Sequence, residues 1–171
     1  MVITLITAAI AVAGTLLGSI VSGRFQERAA ERAVRVSHDQ ELRRERLTAI
    51  RDLPGAITAH RIAMWDRGEA ALNNAPAERV QELRDRSHAT RRAVNDPLTA
   101  LRVLIDDEQV RAAADRMVTL TYAMRDACPA VGSVAPEERD AARAALTAAR
   151  AAAVVAHDEF VDVAGRYLRT T

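Results

Sequence analysis

Four histidines, His38, His60, His88 and His157, are the first residues in this sequence that could do chemistry. A di-iron carboxylate bundle would need Glu-x-x-His pairs on facing helices. The nearest approach is a single Asp85-x-x-His88, with the wrong acid and no second copy. A zinc peptidase helix would need His-Glu-x-x-His, which does not occur. The spacing assigns the histidines structural or solvated roles and predicts no metal site. Cys128 precedes a proline and has no histidine near it in sequence. Thiol reactivity requires a base and an electropositive setting, so an inert thiol is expected. The glycines form neither GxGxxG nor GxxxxGK, so no phosphate loop or nucleotide cofactor is expected. Asp106-Asp107-Glu108 is too short for a calcium loop and suits a helix N-terminus. No catalytic residue and no cofactor is predicted, and the chain is read as non-enzymatic.

Trp65, in Met64-Trp65-Asp66-Arg67, is the one aromatic that could anchor a partner. The competing expectation is that it closes the end of a helical core, since large aromatics usually fill space.

The elements that would position these residues are helices. Aromatics make up 3% of the chain, while Ala, Leu, Arg and Glu dominate. That composition favours helix and disfavours sheet. All 24 basic residues are arginine, and the net charge is +1, so nothing draws the whole chain to nucleic acid, and none is expected as a partner. One cysteine cannot form an internal disulfide.

Residues 1–23 contain no charged side chain. As a helix they would extend roughly 34 Å, enough for a bilayer core of about 30 Å. A transmembrane helix is therefore predicted. A cleaved signal peptide is the alternative, but it would need a positive start that this segment lacks. Arg24, Arg28, Arg32 and Arg35 follow immediately. The positive-inside rule then places the N-terminus outside and the remaining chain in the cytoplasm, as a single-pass cell-membrane protein. The same arginines would lie at lipid-headgroup height. Gly14, Gly18 and Ser22 recur every four residues, a small-xxx-small face through which two such helices could self-associate into a homo-oligomer.

Residues 24–46 read as a charged helical stalk. Within 37–46 the only apolar residue is Leu42, and a helix polar all round has nothing to pack against. Residues 47–171 read as a helical bundle. Its stripe begins with Leu47, Ile50, Leu53, Ile57 and Met64, and Pro54-Gly55 predicts a kink or restart. A second helix is expected over 77–95, with Val80, Leu83 and Val94 inward. A short third piece follows. Asp106 is expected to cap a fourth helix, with Gln109 in the capping-box position. That helix should run to about Asp126, burying Val110, Ala114, Met117, Leu120 and Met124. A last helix should run from Pro136 to about Leu168. It is nearly polyalanine from Ala141 to Ala156, so a neighbour must approach closely.

The order of a charge-free helix containing Ala13-Gly14-Thr15-Leu16-Leu17-Gly18, an Arg/Glu-rich stretch with Arg43-Arg44-Glu45-Arg46-Leu47, and a helical domain including Arg61 to Arg67 resembles the KilB plasmid-spread proteins of actinomycete conjugative plasmids. The resemblance implies a membrane-associated accessory to plasmid transfer, with lipid and plasmid-transfer components as partners. It carries over no catalytic residue. The residues themselves leave two function classes open: an anchored interaction protein, or a sensor module whose stalk relays movement to the bundle.

Overall fold

A computed structural model describes the backbone of residues 2–129 and 135–170, and the side chains from Ala30 onward within those ranges. Five helices follow in order: α1 (Val2–Leu72), α2 (Ala77–Ala93), α3 (Asn95–Leu104), α4 (Glu108–Ala123) and α5 (Arg139–Thr170), the last preceded by a 3-10 turn (Pro136–Glu138). There is no strand among the described residues, so the expected all-α class holds. The chain divides into two compact units, Met1–Arg44 and Glu45–Thr171.

In the first unit, residues 30–41 are exposed throughout, including Val34 and Val36. Among the described residues no helix is long and apolar enough to cross a membrane. The predicted span, residues 1–23, lies outside the described side chains.

The second unit is a bundle built around the C-terminal half of α1. One core cluster joins Ile50, Leu53 and Ile57 of α1 to Leu101, Val110, Met117 and Phe160. A second joins Met64 and Leu72 of α1 to Met124, Leu146 and Ala153. Buried residues of α5 fall at Leu146, Ala153, Ala156, Phe160 and Ala164, the spacing of one helical face. Three of the five are alanine or smaller in bulk than leucine, which brings α5 close to its neighbours. At Gly68 of α1 an added Cβ would collide with the Leu146 side chain and lie 3.4 Å from Cys128 Sγ.

Helix ends are closed locally. Asn74 adopts φ 51°, a left-handed conformation that asparagine tolerates better than most residues. It lets Ala75 N donate to Ala70 O and Asn74 N donate to Ala71 O, a Schellman closure of α1. The α3–α4 turn is held by Arg111, whose guanidinium donates to the carbonyls of Ile105 and Arg102 and to Asp106. Arg46 of α1 donates to Leu104 O at 3.0 Å, so arginines satisfy carbonyls that the end of α3 leaves open.

Three expectations are corrected. The restart predicted at Pro54-Gly55 does not occur: α1 stays helical through both residues. Pro54 lacks a donor and costs one ladder bond, but Leu53 and Ile57 on either side are fully buried, and that packing outweighs the loss. Leu47 is 43% exposed, and Ala49 takes the first core position instead. Asp107, not Asp106, caps α4, its carboxylate accepting from Val110 N at 2.9 Å. Asp106 instead pairs with Arg111 at 2.8 Å. Leu120 is half-buried against the core, while Val110, Ala114, Met117 and Met124 are buried as expected.

Candidate functional site

The polar groups of the bundle gather where the C-terminal part of α1 meets α2. Helical periodicity puts Arg84, Ser87, His88 and Arg91 on neighbouring turns of one side of α2. His60 of α1 faces that side and is 3% exposed. Its Nδ1 lies 3.1 Å from Thr90 Oγ1. The Thr90 hydroxyl donates to backbone carbonyls of Arg86 and Ser87, so it accepts from His60, assigning the Nδ1–H tautomer. The imidazole meets Tyr122 edge-on, with centroids 5.4 Å apart, and the Arg91 guanidinium lies 4.5 Å from the centre of the same tyrosine.

Burial pushes the His60 pKa down to about 4, and Arg91 and His88 add to the fall while a bond to the Ser87 backbone opposes it. The ring is therefore neutral at physiological pH. The space around it is about 20 Å³, room for no more than a water. His60 is a satisfied core residue, as the spacing predicted. His38 is exposed, and His157 is half-buried, 3.2 Å from the Asp158 carboxylate. Among the described residues no group of three His, Cys, Asp or Glu side chains could hold a metal.

Beside this cluster a larger cleft of about 420 Å³ opens between α1 and α2, lined by Arg67, Ala71, Val80, Gln81, Arg84 and Pro129 among others. Arg67 borders both spaces. Sequence reading passed over this cleft. Spacing along the chain offers no signal for it, because Arg67 and Arg84 belong to different helices.

Trp65 is half-buried against the second core cluster. The Arg150 guanidinium covers its ring at 4.5 Å from the centroid, so its face is occupied within the chain. Nearby, Arg61 Nη1 is buried without a hydrogen-bond partner. Burial and the adjacent Arg150 lower the Arg61 pKa, with Asp158 opposing. Cys128 Sγ donates to Met64 O at 3.5 Å. Its pKa is raised by burial, against a smaller opposing effect of Arg67. That is the setting of an inert thiol. Arg32 and Arg35 are exposed on α1. Gly14, Gly18, Ser22, Arg24 and Arg28 lie outside the described side chains. Among the described residues, the structure brings none of the sequence-selected ones together into one site.

Comparison with known proteins adds what the geometry leaves open. The family described as KilB plasmid transfer protein matches residues 47–168. A Streptomyces lividans protein described as Protein KilB is 35% identical over 147 residues, covering 79% of this chain and 97% of that protein. No solved structure matches.

Proposed function

This chain belongs to the KilB plasmid transfer protein family, and from that premise we propose that it acts as a membrane-anchored, non-enzymatic interaction protein in plasmid transfer. A plasmid-transfer-related role follows from the family itself. The finer reading rests on one observation: a charge-free run of 23 residues directly precedes an arginine-rich segment and a helical bundle. The run supplies an anchor. The arginines behind it favour a cytoplasmic bundle and contact with anionic headgroups. The bundle supplies the surface on which plasmid-transfer components, or a second copy of this chain, would assemble.

The test compares plasmid transfer between strains carrying the full chain and strains carrying residues 24–171. Loss of transfer, with the shortened protein folded and moved out of the membrane fraction, is the expected result. Undiminished transfer by the shortened protein would remove the anchor from the function. Crosslinking of the full chain in its native membrane, followed by mass spectrometry, identifies the partner. Capture of another transfer component supports recruitment, whereas capture of this chain alone supports self-assembly.

A further inference from the structure

We propose that the cleft between α1 and α2 binds a phosphate group carried by an organic molecule. Arg67 and Arg84 approach it from different helices, and no carboxylate lines it. The adjoining small space, which shares Arg67, is bordered by Arg91, Arg125, His60 and His88, again without an acid. Such segregation is unexpected in a chain with 24 basic and 23 acidic residues. Several acids close in sequence are engaged elsewhere, and Glu78, in the first turn of α2, is exposed and does not line the cleft. Asp66 pairs with Arg86 at 3.3 Å, Glu82 with Arg79 at 2.6 Å, and Asp85 accepts from Gln81 at 2.9 Å. Neither the Arg67 nor the Arg84 guanidinium has an ion-pair or hydrogen-bond partner among the described residues.

Two unengaged guanidinium groups at one concave site suit a multiply charged oxyanion, because each presents a planar fork of donors to phosphate oxygens. The first turn of α2 also opens onto the cleft at Ala77. Its N-cap is Pro76, which makes no side-chain cap bond, so the helix N-terminus adds a positive contribution that the Glu78 carboxylate in the same turn partly offsets. Ala71, Val80 and Pro129 form an apolar wall against which the organic part would rest. A volume of about 420 Å³ lies within the ordinary range of small-molecule sites. The phosphate could come from a free phosphate ester or from a phospholipid headgroup, and both present the same oxyanion.

The experiment is isothermal titration of the full chain, held in an uncharged detergent, with three probes: inorganic pyrophosphate, adenosine monophosphate, and a soluble short-chain phosphatidic acid. Saturable binding is expected, weakened about tenfold by Arg67→Gln and by Arg84→Gln and retained by the Arg43→Gln/Arg44→Gln pair, which changes charge to the same degree or more away from the cleft. Circular dichroism confirms that each variant is folded, and Arg67→Lys and Arg84→Lys serve where a glutamine variant is not. Arginine-dependent binding of phosphatidic acid alone identifies a headgroup as the source. Arginine-dependent binding of pyrophosphate and adenosine monophosphate identifies a free ester. Absence of saturable binding by all three overturns the proposal, as does equal weakening by the Arg43/Arg44 pair, which would mark diffuse attraction.

Discussion

At the scale of single residues, the N-cap of α4 shows how a local rule can be right in kind and one position off. Three successive acids satisfied the requirement for a capping carboxylate near residue 106. The choice among them depended on Arg111, which draws Asp106 into an ion pair and leaves Asp107 to accept from Val110 N. Asp107→Ala is expected to destabilise the bundle by about 1 kcal/mol. Asp106→Ala, which breaks a pair whose acid is almost fully exposed, should cost less. Chemical denaturation of both variants checks the order.

His60 makes a second residue-scale prediction. Its folded pKa of about 4 lies below the ordinary 6.5, so the unfolded chain takes up the proton first as pH falls. The stability it contributes is present above pH 6.5 and is lost progressively between 6.5 and about 4, on the order of 2 kcal/mol after screening. Urea midpoints of the native protein and His60→Gln, measured at neutral and mildly acidic pH, should converge as pH falls. A constant gap between them would refute the assignment.

At the scale of elements, α1 and α5 divide what could be read in the sequence from what could not. The stripe Ile50, Leu53, Ile57 and Met64 was legible from spacing and is buried. The supposed break at Pro54 was not: it is decided by α3, α4 and α5 packing across that turn, contacts that a local rule does not contain. In α5 the near-polyalanine run correctly signalled close approach, but only the structure identifies Gly68 as the place where α1 yields room to Leu146. Gly55 and Gly68, both inside α1, therefore predict opposite outcomes. Nothing lies within 4 Å of a Cβ at Gly55, so Gly55→Ala should stabilise by roughly 0.5–1 kcal/mol. Gly68→Val should destabilise by about 1–3 kcal/mol, because Leu146 is fully buried and cannot move aside cheaply. Paired thermal melts test both. The arginine cleft was illegible for a similar reason, since Arg67 and Arg84 are brought to one hollow by a helix–helix contact rather than by spacing along the chain.

At the scale of the molecule, the two core clusters share α1 and α5, and Met124 of the second sits at the C-cap of α4, the helix that packs into the first. Neither can open without disturbing elements that the other needs. Residues 45–171, the second compact unit, are expected to unfold in one cooperative transition. Calorimetry of that fragment should give matching calorimetric and van't Hoff enthalpies, and a two-step melt would show that the clusters are independent.

The stacking of Arg150 on Trp65 has a practical consequence. The chain contains one tryptophan, and it sits where α5 lies over α1. Its fluorescence is therefore a single-site reporter built into the protein. Departure of α5 would uncover the indole and shift its emission to longer wavelength, even if every helix kept its backbone bonds and the far-ultraviolet signal did not change. Any partner that prises α5 from α1 would announce itself in the unlabelled protein, by colour alone.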